Sequence, residues 1–429
     1  MQNMLMTPVA AALCAGRKPL YNGAICVFPL DFSKTMSGFP KRAEAAVQAG
    51  PVIEAGPVIR AATIDDLDAL CRIEAECFET DLISRRSFRQ FLKSDSDDLL
   101  VIDHAGALAG YALILYRRGT SVARLYSLAV TAAVRGMGLG AGLMAAAEDA
   151  AYERAASVLR LEVREDNPKA QDFYRRLEYR EFGRIKDYYE DGATAFRFQK
   201  WLSGEPPADL RRLTYYAQTT DFTCGPAAVM MAMNGLDQTV SLDRTSELAL
   251  WREATTIYML RGLGGCEPLG LANVMARRGF RVAVHRSEPG PHFLDSVRSD
   301  AKRAVMMLVQ ADYARAAEEL GVAVSDTALG RQELIEALDR GAVAVVLLSH
   351  YRLTGTAVPH WVTVYGHDDD RFYIHDPWIE LKELPEDIFH GAALPIPFDE
   401  YDRLTRYGRN NFRAALIVEA AGSEHQKKA

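Results

Sequence analysis

The stretch that decides the fold is VRGMGLG, residues 134–140, which lies between a predicted strand at 123–130 and an alanine-rich predicted helix that begins at Leu139. Glycines at such a turn let the backbone approach a ligand closely, and the amide groups and dipole of the following helix form a site for an anion such as a pyrophosphate. A dinucleotide-binding fold uses a similar turn, but there the turn joins the first strand to the first helix and needs an acidic residue about 20 positions later. Here the turn follows the fourth predicted strand, which disfavours that fold.

Other predicted elements surround this turn. Thr63 is a capping residue followed by first-turn carboxylates, and Pro168 is suited to the first turn of a later helix. Residues 104–106 (HAG) predict a turn between two strands. The predicted strands are 58–61, 99–103, 109–116, 123–130 and 158–163.

Two motifs in this region resemble the GNAT acetyltransferase superfamily. Arg135, Gly138 and Gly140 match its phosphate-loop pattern, Arg/Gln-x-x-Gly-x-Gly/Ala. Downstream, 161–174 contains LEVR followed by N-x-x-A-x-x-x-Y, which looks like the ribosomal-protein-alanine N-acetyltransferase branch. The resemblance covers about 58–202 and implies an α/β GNAT domain with a mixed central sheet. It also implies acetyl-CoA as the cofactor and an amine, such as a peptide or protein N-terminus, as the acceptor.

The same resemblance implies roles for individual residues. Glu162 would be the base that takes a proton from the substrate ammonium, and Tyr174 the acid that protonates the leaving thiolate. A bulge in 125–130 would expose backbone groups to the pantetheine arm. The usual glycine before the final aromatic of the motif is Glu178 here, which predicts an altered turn. The expected cofactor contacts are Leu128, Val130, Arg135, Gly136, Met137, Gly138, Leu139, Gly140 and Asn167.

A second set of chemical groups lies in the other half of the chain. Cys224 precedes Gly-Pro, which is tolerated only in the first turn of a helix, and a helix N-terminus favours a nucleophilic thiolate. Gln218 is an amide donor six residues upstream, suited to an oxyanion. His360 opens one predicted strand and Asp376 follows the next. Cysteine, histidine and acid in this order form a papain-like arrangement, in which the acid orients the imidazole that activates the thiol.

These residues resemble the bacteriocin-processing cysteine peptidases, which cut leader peptides after a double glycine. The resemblance covers about 211–419 and implies an α+β papain-like domain, with Cys224 as nucleophile and His360 as general base and acid. It further implies that Asp376 orients His360 and that Gln218 lines the oxyanion hole. The nearby His367 and His375 lie beside acidic residues, and we expect both to be solvated.

Two alternatives remain for the second half. It could hold a peptide for the acetyltransferase without cutting it, although a binding module has no need of a nucleophile. It could also keep the cysteine chemistry as a transferase or a small-amide hydrolase. Exporters that contain this peptidase have membrane and ATPase segments, and no stretch of this sequence reaches the roughly 18 apolar residues of a membrane span.

Composition sets the broader limits. The chain has 429 residues, which is more than a single hydrophobic core usually supports, and a formal charge of −7 with no basic tract, which argues against nucleic-acid binding. Its six cysteines include no CxxC pair, so neither a disulfide framework nor a metal site is expected. The apolar run at 4–15 lacks a preceding basic residue, so we expect a cytoplasmic protein rather than a secreted one. The predicted organisation is a disordered leader (1–56), the GNAT domain (57–203), a linker (204–210), the papain-like domain (211–420) and a tail (421–429).

Overall fold

The structure is a computed structural model that describes residues 56–256, 264–294, 297–349, 358–378 and 391–420. Apart from Gly56, the predicted leader lies outside the described residues, as does the predicted tail at 421–429. Among the helices of the described ranges, none has both the length and the apolar character needed to cross a bilayer.

The first half builds a seven-stranded sheet in the order β1-β2-β3-β4-β5-β7-β6. The strands are β1 (Val58–Ala61), β2 (Asp97–His104), β3 (Ala107–Tyr116), β4 (Val122–Val130), β5 (Val158–Arg164), β6 (Arg180–Ile185) and β7 (Ala195–Trp201). The helices are α1 (Leu67–Cys77), α2 (Arg85–Phe91), α3 (Leu139–Glu153) and α4 (Pro168–Arg176). Only β4 and β5 pair in parallel among these neighbours, so the predicted mixed sheet is confirmed.

Successive side chains of each strand point to alternate faces, and this alternation explains how helices cover the sheet on both faces. Tyr111 and Leu113 of β3 pack with α1 and α2, whereas Ala112 and Ile114 belong to the core that α3 completes. Successive side chains of a strand point to opposite faces, so a central strand covered by helices on both faces must be apolar at every position. β3 has that character, since residues 109–114 are all buried.

The second half builds another seven-stranded mixed sheet, in the order β13-β12-β11-β10-β14-β8-β9, with β8 and β9 as its parallel pair. The strands are β8 (Arg281–Arg286), β9 (Ala323–Ser325), β10 (Val343–Ser349), β11 (Pro359–His367), β12 (Arg371–His375), β13 (Leu394–Pro397) and β14 (Ala414–Glu419). The helices are α5 (Cys224–Leu236), α6 (Arg244–Ala254), α7 (Pro268–Ala276), α8 (Asp300–Glu319), α9 (Arg331–Asp339) and α10 (Phe398–Leu404). Helices α5 to α8 contribute to the core on one face, and α9 and α10 to the core on the other.

Polar contacts join the two sheets near the turn between β3 and β4. Both the backbone N–H and the Oγ of Ser121 donate to the carbonyl of Pro395, at 3.1 and 3.0 Å. The guanidinium of Arg160, on β5, donates to the carbonyls of Ala392 and Ala393 at 3.1 and 2.8 Å. Because Ser121 and Arg160 are themselves buried, the two halves are docked through satisfied polar groups.

Apolar side chains continue the same interface. Val122 and Val158 from the first sheet are buried in the core that α9 and α10 share with the second sheet. The ring of Trp201, at the end of β7, packs edge-on to Tyr373 with centroids 6.2 Å apart. The predicted linker at 204–210 contains no helix or strand.

The turn between α4 and β6 contains a residue in a conformation that favours glycine. Glu178, which occupies the position where the resemblance leads one to expect glycine, has a φ of 69°. A side chain in this left-handed region costs about 1–2 kcal/mol relative to glycine. The turn therefore keeps the glycine-like path, and the buried Tyr179 follows it directly.

We expect Glu178→Gly to stabilise the protein by about 0.5–1 kcal/mol, because relief of the strain exceeds the extra entropy that glycine gives the unfolded chain. Chemical unfolding of the full chain measures this. The control is Ala145→Gly, at an exposed position within α3, which should destabilise by about 1 kcal/mol. Equal destabilisation by both substitutions would show that Glu178 is not strained.

Two candidate active sites

The first candidate site lies where β4 and β5 stop pairing. Their parallel register ends at Arg124 and Arg160, although β4 continues to Val130 and β5 to Arg164. β4 is also bulged at Tyr126, where its register with β3 shifts. The gap and the bulge leave backbone groups without a strand partner; the bulge is the one that the resemblance implied for 125–130, whereas the gap was not predicted.

The glycine turn lies at the end of β4 and leads directly into α3. Gly136 and Gly138 have φ values of 85° and 82°, and Gly138 is the N-cap of the helix. A Cβ added at either glycine would meet no atom within 4 Å, so the backbone of the turn is open to a ligand. The first N–H groups of a helix have no acceptor within it, so α3 offers donors to an anion.

The remaining predicted cofactor contacts surround this turn in different environments. Met137 is exposed at 55%, whereas Leu128 and Leu139 are buried. The Nε of Arg135 donates to the carbonyl of Val130 at 3.2 Å, which fixes the turn to the end of β4.

Two further positions complete this set. A Cβ at Gly140 would lie 3.7 Å from the ring of Phe173, so α4 packs beside the start of α3. Asn167 uses its side-chain oxygen to accept from the Ala170 N–H at 3.0 Å, so this side chain is the N-cap of α4. A role for Asn167 in cofactor binding stays a prediction.

Glu162 is a buried carboxylate held by arginines. Its Oε2 accepts from Arg124 Nε at 2.8 Å and its Oε1 from Arg197 Nε at 3.5 Å. Arg124 also donates to the Tyr188 hydroxyl. These two ion pairs hold the carboxylate between two guanidinium groups at the strand that borders the gap.

Tyr174 reaches the same part of the sheet from its other face. It is fully buried in the core that contains Leu161 and Val163, and these residues alternate with Glu162 along β5. Its ring packs edge-on against that of Tyr179, with centroids 5.7 Å apart. The fold thus places Glu162 and Tyr174 on opposite faces of the strand that borders the gap.

The second candidate site is built from three elements of the second sheet. Cys224 is the first residue of α5 and is half-buried, with Thr223 as its N-cap. His360 lies on β11 and forms a hydrogen bond with Cys224. The other side of its ring contacts Asp376, with 2.6 Å between His360 Nε2 and Asp376 Oδ1. Cysteine, histidine and acid therefore form one hydrogen-bonded chain.

Burial and neighbouring charges set the protonation states of His360 and Asp376. Burial alone would lower the pKa of His360, but attraction to Asp376 and the hydrogen bonds to Asp376 and Cys224 outweigh it and raise that pKa to about 10. Burial alone would raise the pKa of Asp376, whereas His360 and Arg117 hold it well below its usual range. The imidazolium and carboxylate forms are thus favoured together.

Other groups fix the orientation of Asp376. Its Oδ1 also accepts from the Trp378 N–H at 3.0 Å, and its backbone carbonyl accepts from the Tyr215 hydroxyl at 3.0 Å. The ring of Trp378 stands perpendicular to that of His360 at 6.2 Å. The Oδ2 of Asp376 accepts from Arg117 at 2.7 Å, and Arg117 follows β3 of the first sheet. Sequence reasoning missed this arginine.

Gln218 is fully buried close to the hydrogen-bonded residues Cys224, His360 and Asp376. Its backbone N–H donates to Pro377, the residue after Asp376, at 2.9 Å, and its Nε2 donates to the Thr220 carbonyl at 2.7 Å. An amide nitrogen has two hydrogens, so one remains for an oxyanion. Its Oε1 has no hydrogen-bond partner within the described part of the chain.

Glu247, on α6, is a second residue that sequence reasoning missed. Its buried carboxylate accepts from the hydroxyls of Tyr216, Thr219 and Thr223 and from the Thr219 backbone N–H. It thereby fixes the segment that contains Gln218 and leads into Cys224. The available signal is that Glu247 occupies the helix face whose other positions, Leu250 and Ala254, are apolar and buried.

The expectation that His375 is solvated is wrong. Its ring is buried, with Nε2 3.0 Å from the Leu213 carbonyl and Nδ1 accepting from the Ala393 N–H at 3.0 Å. Burial lowers its pKa to about 4, so the ring is neutral and structural. His367 is half-buried and contacts Asp339.

The described cysteines other than Cys224 are free thiols in packed surroundings. Cys77 and Cys266 are buried, and burial raises the pKa of both. Cys71 is half-buried. Cys14 and Cys26 lie outside the described residues.

Comparison with known proteins supports an N-acetyltransferase domain in the first half of the chain. The acetyltransferase (GNAT) family model matches residues 67–179. A putative [ribosomal protein bS18]-alanine N-acetyltransferase of Bacillus subtilis is 31% identical over 128 residues, which are 30% of this chain and 83% of that protein. An uncharacterized N-acetyltransferase of Methanocaldococcus jannaschii is 34% identical over 131 residues, 30% of this chain and 82% of that protein.

Two further matches complete the comparison. The crystal structure of the ribosomal-protein-S18-alanine N-acetyltransferase from Escherichia coli is 24% identical, covers 35% of this chain and 97% of its own, and has a TM-score of 0.32. The model described as "Peptidase_C39 like family" matches residues 213–419. Because the chain spans more than four fifths of relatives that are over 30% identical to it, it belongs to the GNAT acetyltransferase family.

Proposed function

We propose that the protein is a cytoplasmic bifunctional enzyme. Its first half transfers the acetyl group of acetyl-CoA to an amine, with a peptide or protein N-terminus as the acceptor class, and its second half is a papain-like cysteine peptidase or amidase that acts on a peptide. The observation that supports the second activity best is the hydrogen-bonded chain from Cys224 through His360 to Asp376, which begins at a helix N-terminus.

In the first site, the residues present fit acetyl-CoA. The open backbone at Gly136 and Gly138 and the N-terminus of α3 would hold its pyrophosphate, and the unpaired edge of β4 its pantetheine arm. When bound, the cofactor supplies an activated acetyl thioester. Glu162 accepts a proton from the acceptor ammonium, through water, and the Tyr174 hydroxyl is the proton donor on the other side of β5. The substrate names of the bacterial relatives motivate the N-terminal acceptor.

In the second site, the Sγ of Cys224 attacks the carbonyl carbon of an amide bond. In the resting thiolate–imidazolium pair, His360 already holds the thiol proton at Nδ1; it gives this proton to the leaving amine, and water then releases the acyl group from sulfur. Asp376 keeps Nε2 protonated, which leaves Nδ1 toward the thiol. The backbone N–H of Cys224 and the free hydrogen of the Gln218 amide are the donors to the oxyanion. The family match over 213–419 motivates the same assignment.

The glycine turn predicts the effect of a side chain on acetyl-CoA binding. Gly138→Val should weaken acetyl-CoA binding by about 10-fold or more, because a branched side chain at a φ of 82° strains the turn that holds the pyrophosphate. Isothermal titration calorimetry measures the affinity. The matched control is Gly106→Val, at a φ of 78° in the exposed turn between β2 and β3, which should leave the affinity unchanged. Equal affinities of both variants and the parent would contradict the assigned cofactor site.

The hydrogen bonds that connect Cys224, His360 and Asp376 predict selective reactivity of the Cys224 thiol. In peptide-mapped alkylation by iodoacetamide from pH 5 to 9, Cys224 should react about 10-fold or more faster than Cys71 near pH 6, because His360 and the helix N-terminus favour its thiolate. Cys71 is the control since it is also half-buried. His360→Ala should remove the selectivity, and Asp376→Ala should leave part of it. If Cys224 never reacts faster than Cys71, the second half is a binding module rather than a peptidase.

A further inference from the structure

The acid of the second site is held from both domains. Asp376 is fully buried, and its Oδ1 serves His360 and the Trp378 N–H. Its Oδ2 accepts from Arg117 Nη2 at 2.7 Å. Arg117 belongs to the turn after β3 of the acetyltransferase domain, and its side chain is 24% exposed. A domain outside the peptidase fold therefore supplies one contact of the innermost carboxylate.

The contact between Arg117 and Asp376 balances the charge of the buried site. When Cys224 is a thiolate and His360 an imidazolium, their charges cancel, and a buried Asp376 adds one uncompensated negative charge. An unpaired charge in a buried site costs several kcal/mol and is commonly avoided by a shift in pKa. With Arg117 present, the four groups sum to zero, and each oxygen of Asp376 has a charged or N–H donor.

The turn that contains Arg117 is itself fixed against the second domain. The Arg117 carbonyl accepts from the Thr120 hydroxyl at 2.9 Å, and Ser121 next to it donates twice to the Pro395 carbonyl. Pro395 lies on β13, beside β12, whose end leads into Asp376. The backbone of Arg117 is therefore held in a hydrogen-bonded turn that is fixed to the second domain.

We propose that Arg117 is a positioning residue of the cysteine site. It is supplied by the acetyltransferase domain, and it balances the charge of Asp376 and orients its carboxylate toward His360. The inference rests on the proposed peptidase function and extends it, since the peptidase active site is then complete only when the two domains are docked.

Other ionisable groups contribute to the electrostatics of this region. Cys224 faces His360 from α5, and Tyr215 contacts the Asp376 backbone from the segment before α5. Arg160 and Arg197 approach from β5 and β7 of the first domain, and both are buried. Arg117 is the guanidinium that touches the carboxylate itself, so its removal should have the largest effect.

The test uses the full chain and the iodoacetamide pH profile of Cys224. Arg117→Gln keeps a hydrogen-bond donor without the charge, and Arg117→Lys keeps the charge. Without the positive charge of Arg117, the negative charge of Asp376 is uncompensated and disfavours a second negative charge on Cys224, so the Arg117→Gln profile should move to higher pH by about one unit. Arg117→Lys should restore most of the parent profile. The control, Ser121→Ala, removes a neighbouring interdomain hydrogen bond, while the Ser121 N–H still serves Pro395, and should not shift the profile.

The possible outcomes separate this inference from the proposed function. If Cys224 of the parent protein is not labelled selectively, the peptidase assignment is overturned, and the positioning role of Arg117 in that site is overturned as well. A selective parent profile that stays in place in Arg117→Gln overturns the inference alone. A shift of equal size in Ser121→Ala also overturns it, because the cause would then be loosened docking rather than the charge. Unchanged acetyl-CoA affinity of each variant shows that the first domain remains folded.

Discussion

A fully buried carboxylate, that of Asp376, is the constraint on which the second half of the structure depends. Its charge is tolerated only because His360, the Trp378 N–H and Arg117 all donate to it. These donors come from β11, from the segment after β12 and from the other sheet. Removal of one donor leaves part of this buried charge unsatisfied, at a cost of about 1–3 kcal/mol, so the three contacts together hold the carboxylate in place. The position of His360, and through it that of Cys224, follows from this convergence.

The first half is organised around a strand with two different ends. β4 begins in the interface, where Val122 is buried against the second sheet, and it pairs with β5 only as far as Arg124. Its later part is bulged and leads through Val130 into the glycine turn and α3. One strand thus spans the distance from the docked surface to the candidate cofactor site.

Local sequence signals predicted much of both sites. The glycine turn was predicted because positive φ values and a helix start leave a local pattern, and Cys224 because Gly-Pro marks the first turn of a helix. The order of cysteine, histidine and acid then predicted a chain that the structure brings together through hydrogen bonds. Individual roles in these sites stay predictions until the variants are measured.

The residues that sequence reasoning missed act through distant contacts. Arg117 and Asp376 are 259 positions apart, and no local pattern connects an arginine after a strand to an acid in another domain. His375 was misjudged for the same reason, since its acidic neighbour suggested solvent while the carbonyl of Leu213 covers its ring from 162 positions away. Glu178 shows the opposite limit: the departure from glycine was visible, but only the backbone showed that the glutamate adopts the glycine conformation at φ 69°.

The central claim is that the two domains form one docked unit that completes the cysteine site. Residue-resolved amide hydrogen exchange at Ser121 tests it most directly, because the acceptor of this N–H is the Pro395 carbonyl of the other domain. If the domains are docked in solution, the Ser121 amide should exchange about 100-fold or more slowly than an exposed turn amide, at a rate comparable to the interior of β4. Exchange at the rate of an exposed turn, while β4 stays protected, would show that the domains separate and would contradict the account.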